Sequence, residues 1–268
     1  MGLASACLRS AFDVEHQNPA PSNDPRNPRS AVSRRDRPSV EQVLVAAAAA
    51  VGITAAVTLL AIVIGVTLVG RSGAGLAQPL DDAVRPWIES NTSTTNPIAN
   101  ALDALCGAGA MTAAAAAAGL VMWWRTRRPF LAATPLIVAL AADTVVLIVK
   151  EVVARPRPVL SRGTLGDQYS FPSGHVTVTA AVVVAIALTW VHPAYRRVAL
   201  LAAVGFAGLV ALSRLVLGVH WFTDVVVGAG IGTLLAVSLI GAGRGVPWIA
   251  SRWATPAPSA SRHLEETS

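Results

Sequence analysis

A run of 28 residues without a charge, 43–70, constrains the fold of this chain more than any other feature of its sequence. A helix needs roughly 20 predominantly apolar residues to cross the hydrocarbon core of a bilayer. The run is also too long for the apolar region of a signal peptide. It therefore predicts a first membrane-spanning helix.

Five more apolar runs follow the first one, at about 104–124, 130–149, 174–191, 198–217 and 221–243. Only 13% of the residues are charged and 53% are hydrophobic, whereas a soluble domain carries about a quarter charged residues. The sequence thus predicts an all-α fold, a six-helix transmembrane bundle. The more polar segment 71–99 predicts a loop with at most one short interfacial helix.

Two polar tails flank the predicted membrane domain of residues 42–243. Residues 1–41 are rich in Pro, Asn, Ser and Arg and lack apolar periodicity, so they predict a disordered tail. Residues 244–268 form the second tail. Six spans place both tails on one side, and positive charge near span ends marks the cytoplasmic side. The tails and even-numbered loops hold Arg34, Arg35, Arg37, Arg125, Arg127, Arg128, Arg196, Arg197, Arg244 and Arg252, so both termini are predicted to be cytoplasmic.

The net charge of +6 does not indicate a nucleic-acid partner, because the arginines stand in short clusters between apolar runs. The two cysteines, one in a tail and one in an apolar run, predict no disulfide framework. The pair Gly228 and Gly232 predicts close approach between two helices in lipid.

Ionisable residues gather at the predicted outer ends of spans 3 to 6. The exit of span 3, the entry of span 4, the exit of span 5 and the entry of span 6 must all lie on one face of the membrane. Polar residues inside or at the ends of spans are expensive and usually functional. The residues concerned are Lys150, Arg157, Ser173, Gly174, His175, Ser213, Arg214, His220 and Asp224. We expect one extracytoplasmic pocket in which they meet.

This set of side chains is typical of a site for a reactive anion. Lys150, Arg157 and Arg214 supply positive charge, and an arginine can bind two phosphate oxygens at once. Ser173, Gly174 and His175 start a helix whose backbone N–H groups favour an anion. Singly, each cation is better explained as an interfacial residue that reaches toward water, but together with the two histidines the cations favour a phosphate site.

The two histidines predict covalent catalysis. His220 and Asp224 are four residues apart, so the carboxylate can hold one ring nitrogen and leave the other as a nucleophile. His175 is then available as the general acid. The cations can stabilise the developing charge, so we expect no metal and no cofactor. No phosphate-binding loop of the Gly-x-x-x-x-Gly-Lys-Ser/Thr kind is present, and the histidines lack a plausible third zinc ligand.

At these residues the chain resembles the type 2 phosphatidic acid phosphatase superfamily of integral membrane lipid phosphatases. Lys150 to Pro158 matches the family pattern Lys-x6-Arg-Pro, Pro172 to His175 matches Pro-Ser-Gly-His, and Ser213 to Asp224 matches Ser-Arg-x5-His-x3-Asp. The resemblance implies a six-helix bundle and a phosphohistidine at His220. It also implies phosphate contacts by Lys150, Arg157, Ser173, Gly174, His175 and Arg214.

Other polar residues near the pocket suggest smaller roles. Asp143 lies two helical turns before Lys150 and is expected to be an internal hydrogen-bonding partner. Four more residues, Glu151, Arg155, Arg162 and Asp167, are expected in the loop that tunes the entrance to the site.

The sequence therefore predicts a metal-independent phosphatase of the cell membrane. Its expected substrate is an amphiphile in the membrane lipid, either a phosphatidate-type monoester or a polyprenyl diphosphate. A lipid phosphotransferase with the same intermediate and a non-catalytic lipid-binding or transport protein are the alternatives.

Overall fold

A computed structural model describes residues 39–70, 75–158 and 169–245 of the 268-residue chain. The chain divides into two units, 1–43 and 44–268, and the candidate site lies in the second. Nearly all of the two predicted tails, together with Arg162 and Asp167, lies outside the described residues.

Eight α-helices make up most of the described chain. The first of them continues as a π-helical turn over Gly65–Val69, and a short 3-10 turn, Pro193–Tyr195, precedes the seventh. The helices are α1 (Val40–Ile64), α2 (Gln78–Asn91), α3 (Pro97–Cys106), α4 (Ala108–Thr126), α5 (Pro129–Val153), α6 (Gly174–Thr189), α7 (Arg196–Val216) and α8 (Phe222–Gly245). The β pairing in the described ranges is a single bridge between Pro156 and Tyr169. The predicted all-α class is confirmed.

Four helical segments are each long and apolar enough to cross a membrane: Val40–Val69, Pro129–Val153, Pro193–Val216 and Phe222–Gly245. Helices α3 and α4 together make a fifth candidate, bent by 60° at Gly107. With 16 residues, α6 is about 24 Å long at 1.5 Å per residue, shorter than the hydrocarbon core. The chain is an integral membrane protein, and its six spans stay a prediction.

The polar segment between the first two predicted spans is more helical than expected. It contains all of α2 and the start of α3, where one short helix at most was predicted. Local chemistry explains the start of α3, because the Asn96 side chain accepts a hydrogen bond of 3.0 Å from Ala99 N and Pro97 stands at the first helical position. Asn100 and Asp103 interrupt the apolar run of α3, so hydropathy does not mark it.

Helix α6 lies at the centre of the bundle, where it packs against α4, α5, α7 and α8. Most of its residues are buried. The predicted close approach at Gly228 and Gly232 is confirmed, since both glycines of α8 lie against Thr177 of α6. A Cβ at Gly228 would lie 2.9 Å from Thr177 Oγ1, and one at Gly232 would overlap the Thr177 carbonyl.

The outer helices expose large apolar side chains. Leu59 on α1, Leu147 on α5 and Leu201 on α7 are 64%, 63% and 73% exposed. Faces of this kind are suited to lipid, in which hydrocarbon and not water surrounds the helices. The exposed apolar residues therefore agree with the membrane location of the bundle.

At one end of the bundle, hydrogen bonds connect helix termini that lie close to arginines. Trp190, which follows α6, donates from Nε1 to the carbonyl of Leu131 near the start of α5 at 2.9 Å. Arg244 near the end of α8 donates to the carbonyl of Leu188 at 2.8 Å. The candidate site lies at the opposite ends of these helices.

Candidate active site

Four segments meet at the other end of the bundle: the end of α5, the start of α6, the end of α7 and the loop before α8. Arg157 after α5 donates to the Val219 carbonyl at 2.7 Å, and Val219 N donates to the Arg214 carbonyl at 3.2 Å. Ser173 N donates to the Asp224 carbonyl at 3.2 Å. These hydrogen bonds bring the three sequence motifs into one pocket.

His220 lies in the loop between α7 and α8 and is buried. Its Nδ1 is 3.4 Å from Asp224 Oδ2, and its Nε2 is 3.5 Å from Arg157 Nη1. Both contacts are long, as catalytic hydrogen bonds often are before substrate binds. Since a guanidinium only donates, the lone pair of the ring belongs on Nε2 and the proton on Nδ1. The geometry leaves Nε2 as the nucleophilic atom.

The surroundings of His220 keep its ring neutral. Burial, with the charges of Arg157 and Lys150, lowers the pKa of the imidazole to about 4, although Asp224 acts in the opposite direction. A neutral imidazole at neutral pH retains the lone pair that nucleophilic attack requires.

Asp224 is fully buried in the first turn of α8 and is held from three sides. Its Oδ2 accepts from the backbone N of Trp221 at 2.9 Å and faces His220, and its Oδ1 accepts from Arg155 Nη1 at 2.6 Å. These contacts fix the carboxylate that orients the imidazole.

Arg155 is not at the entrance, as the sequence predicted, but is 1% exposed in the interior. Its Nη2 donates to Asp81 Oδ2 at 2.6 Å, and its Nη1 also donates to Thr223 Oγ1 at 2.9 Å. A guanidinium is tolerated there because two buried carboxylates, Asp81 and Asp224, neutralise it. The expectation was wrong because Arg155 turns inward to these two carboxylates instead of outward to the entrance.

Asp81 was missed in the sequence because it stood in a segment read as loop. It lies on α2 and is buried, and its Oδ1 accepts from Thr223 N at 2.9 Å while its Oδ2 accepts from Thr223 Oγ1 at 2.7 Å. Asp81 therefore ties α2 to the start of α8, next to Asp224.

The start of α6 forms the second wall of the pocket. Ser173 is buried, and its Oγ has no hydrogen-bond partner within the described residues. Gly174 and His175 follow as the first helical residues, where backbone N–H groups lack partners in the helix. The buried Ser173 hydroxyl and the backbone N–H groups at the start of α6 are suited to an anion with several oxygens.

Arg214 and His175 share a carboxylate that sequence reasoning missed, Asp103 of α3. Asp103 Oδ1 lies 2.9 Å from His175 Nε2 and also accepts from Arg214 Nη1. Arg214 is buried in the last turn of α7. A signal was available, because Asp103 is the only acidic residue between Glu89 and Asp143 and directly precedes the predicted second span on its outer side.

The remaining predicted residues divide between the pocket and its surroundings. Lys150 is buried in the last turn of α5 with its charge acting on His220. Asp143 is half-buried about two turns earlier in α5. Glu151 is not in the loop, as the sequence predicted, but is exposed in the last turn of α5. The structure thus brings together all eight predicted site residues, namely Lys150, Arg157, Ser173, Gly174, His175, Arg214, His220 and Asp224, whereas neither Asp143 nor Glu151 takes part in the contacts of the pocket described above.

Comparison with known proteins adds an independent line of evidence. The sequence model of the PAP2 superfamily matches residues 132–244, which contain all three motifs. The resemblance inferred from the motifs is confirmed by this match.

Several bacterial proteins are similar to parts of the chain. Decaprenylphosphoryl-5-phosphoribose phosphatase of Mycolicibacterium smegmatis is 43% identical over 95 residues, which cover 34% of this chain and 48% of that protein. The Mycobacterium tuberculosis protein of the same name is 32% identical over 126 residues, with 45% and 66% covered. Phosphatidylglycerophosphatase B of Bacillus subtilis is 37% identical over 94 residues, with 33% and 46% covered. The chain spans about half to two thirds of the length of these relatives.

A solved structure shares the fold. The crystal structure of the first transmembrane PAP2 type phosphatidylglycerolphosphate phosphatase from Bacillus subtilis matches with a TM-score of 0.55 and 24% sequence identity, covering 72% of this chain and 94% of that chain. At this identity the likeness concerns the fold alone.

Proposed function

We propose, from the premise that residues 132–244 belong to the PAP2 superfamily, that this integral membrane protein is a lipid phosphatase. Its substrate is an amphiphile with a terminal phosphomonoester or diphosphate. The names of the relatives, a decaprenylphosphoryl-5-phosphoribose phosphatase and a phosphatidylglycerophosphatase, support this substrate class.

The arrangement of His220 carries the proposal. A buried, neutral imidazole has one nitrogen beside a carboxylate and the other beside an arginine, in a pocket with a buried hydroxyl and a helix start. A structural histidine has no need for a cation beside its second nitrogen. Phosphoryl transfer explains both the orientation and the surroundings.

In the first step, His220 Nε2 attacks phosphorus and the bond between phosphorus and the ester oxygen breaks. His175 donates its proton to the departing oxygen, so that the lipid leaves as an alcohol. Lys150, Arg157 and Arg214 neutralise the charge on the remaining phosphate oxygens. Asp224 stabilises the positive charge that His220 gains.

In the second step, His175 removes a proton from water, and the resulting hydroxide attacks the phosphohistidine. The bond between Nε2 and phosphorus breaks, which releases phosphate and restores His220. The two histidines therefore act in succession, one as nucleophile and the other as acid and then base.

The site belongs on the extracytoplasmic face of the cell membrane in this proposal. The clustered arginines lie at the opposite end of the bundle, and such clusters mark the cytoplasmic side. A lipid can then place its phosphate in the pocket while its hydrocarbon chain stays among the helices and the surrounding lipid.

The mechanism can be tested with purified protein in detergent and phosphatidate that carries a radioactive phosphate. We expect His220→Ala to lose both the labelled protein intermediate and phosphate release. We expect His175→Ala to form label with activated phosphate esters but to release it slowly. His192→Ala provides a matched control, because His192 is exposed in the turn before α7.

Three results would contradict the proposal or replace it. Transfer of the label to an added alcohol or lipid without free phosphate would indicate a phosphotransferase. Failure of the protein to release phosphate from phosphatidate, phosphatidylglycerol phosphate and polyprenyl diphosphates would favour a lipid-binding or transport role. Loss of activity with a metal chelator would contradict the metal-independent mechanism.

A further inference from the structure

Asp103 sits between two groups that the proposed mechanism uses, although it belongs to none of the three motifs. Its Oδ1 is 2.9 Å from His175 Nε2 and also accepts a hydrogen bond from Arg214 Nη1. Its backbone carbonyl is 3.2 Å from the same His175 nitrogen. The side chain is 48% exposed, so it lies at the open side of the pocket.

The position of Asp103 is fixed by the packing of α3. This helix packs against α7, and Arg214 Nη2 also donates to the Ala99 carbonyl at 3.5 Å. Asn96 caps the helix at its start. Arg214 therefore holds the helix that carries Asp103. The contact between Asp103 and His175 is thus a consequence of helix packing.

The charges around His175 explain why a carboxylate is needed there. A general acid has to carry a proton before it can donate one, and nearby cations disfavour a second positive charge. Arg214 faces His175 from α7, and Lys150 on α5 and Arg157 add positive charge to the pocket. On α8, Asp224 is already occupied by Arg155 and His220. Asp103 on α3 is the carboxylate that contacts His175.

We propose that Asp103 is a positioning residue for His175, which it orients and whose protonated form it stabilises for donation to the leaving group. The inference rests on the proposed function. The pocket then holds two pairs of imidazole and carboxylate: Asp224 prepares His220 as the nucleophile, and Asp103 prepares His175 as the acid. Only the first pair is visible as a sequence motif.

The competing explanation is that Asp103 occupies the anion position. A carboxylate shared by an arginine and a histidine resembles one edge of a bound phosphate. In that case the substrate has to displace it, and its removal would strengthen the binding of phosphate without impairing the chemistry. The two explanations predict opposite effects of the same substitution.

The test uses Asp103→Asn in the full-length protein with two substrates. Phosphatidate has an alkoxide leaving group that requires a proton, whereas p-nitrophenyl phosphate has a leaving group that departs without one. We expect kcat on phosphatidate to fall on the order of 10²-fold, the typical contribution of general acid catalysis. The single-turnover rate at which p-nitrophenyl phosphate phosphorylates the protein should stay close to that of the unaltered protein, because this step needs no acid. His175→Ala should show the same contrast in the phosphorylation step.

Further measurements separate a positioning role from a structural one. The alkaline limb of the kcat profile on phosphatidate should move to lower pH in Asp103→Asn, since the imidazolium loses its carboxylate partner. The double variant with His175→Ala should be no slower than His175→Ala alone. Asp82→Asn is the matched control, because Asp82 is an exposed carboxylate on α2 that accepts from Gln78.

Two outcomes would overturn the inference. An equal loss on both substrates would indicate that Asp103 only supports the fold. Stronger inhibition by inorganic phosphate with undiminished kcat would assign Asp103 to the anion position. If the unaltered protein releases phosphate neither from these two substrates nor from phosphatidylglycerol phosphate or polyprenyl diphosphates, the proposed function fails first, so the two failures are distinguishable.

Discussion

At the scale of single residues, the surroundings of the two histidines of the pocket agree with the different duties proposed for them. His220 is buried between Asp224 and Arg157, whereas His175 is only partly buried and reaches the open side of the pocket. Burial favours the neutral imidazole that a nucleophile needs, and a carboxylate beside a more open ring favours the charged form that an acid needs. In the proposed mechanism, one imidazole is therefore suited to act as a nucleophile and the other as an acid.

The protonation of His220 provides a test at this scale. Its pKa of about 4 means that the ring is neutral at neutral pH and gains a proton only near pH 4. The cause is burial, which removes the water that would solvate the charged imidazolium. We expect the NMR signal of a labelled His220 ring to keep its neutral chemical shift down to pH 5 and to change near pH 4. The signal can be assigned by its loss in His220→Gln.

A midpoint near 6.5, the ordinary value for histidine, would show that water reaches the ring and would contradict the buried nucleophile. The NMR measurement avoids the titration of the substrate phosphate, which complicates kinetic profiles in the same range.

The sequence shows some residue roles and hides others for a physical reason. His220 and Asp224 are four residues apart, so helical geometry predicts their contact. Arg155 meets Asp81 across 74 positions and Arg214 meets Asp103 across 111, and spacing along the chain carries no information about such pairs. The span count places Asp81 and Asp103 on the same side of the membrane as the pocket, but it does not predict which residues they contact.

At the scale of the helices, the contact between α6 and α8 positions both walls of the site. The first turn of α6 carries His175 and the first turn of α8 carries Asp224, and Ser173 N donates to the Asp224 carbonyl. Gly228 and Gly232 allow the two backbones to approach this closely. These small residues therefore contribute to the geometry of the pocket.

Gly232→Ala should disturb this contact. The added methyl group would overlap the Thr177 carbonyl and come within 3.0 Å of Ala181 N, and both are backbone atoms that cannot rotate away. We expect a loss of about 1–3 kcal/mol of stability, as for other overpacked cores, and reduced phosphate release. The melting temperature in detergent and the lipid assay measure the two effects.

Gly230→Ala is the matched control on the same helix, because a Cβ there meets nothing within 4 Å. It should be neutral or slightly stabilising, since alanine is the better helix former. Equal behaviour of the two variants would contradict the packing explanation.

Helix boundaries show what hydropathy can and cannot predict. The runs that became α5, α7 and α8 were located to within a few residues because long apolar segments leave few alternatives. Helices α2 and α3 were missed or shortened because they combine apolar residues with Asp81, Asp82, Asn100 and Asp103. Their helical structure depends on caps and on tertiary contacts, which a hydropathy window does not register.

At the scale of the whole molecule, the two ends of the bundle differ in chemistry. One end holds the pocket, and the other gathers the helix termini with Arg125, Arg128, Arg196, Arg197 and Arg244. Parity of the spans predicted this separation from the sequence. The charge bias predicts the orientation in the membrane, and this prediction calls for a direct experiment.

Cysteine labelling in intact cells tests the orientation. In a background with Cys7→Ser and Cys106→Ser, we expect Thr95→Cys to react with a membrane-impermeant maleimide and Ala194→Cys to react only after permeabilisation. Thr95 is exposed between α2 and α3 near the pocket, and Ala194 is exposed in the turn between α6 and α7. The inverse pattern would place the site in the cytoplasm, and labelling of both before permeabilisation would contradict a membrane-spanning bundle.

The length of α6 has a consequence for how the protein meets its substrate. If its Trp190 end rests at one interface, a helix of about 24 Å ends short of the opposite interface, and the catalytic floor is recessed into the leaflet. Encounters then occur by lateral diffusion in two dimensions. The rate should depend on the mole fraction of the lipid within its micelle or vesicle, so that dilution with inert detergent slows turnover while the bulk concentration stays constant.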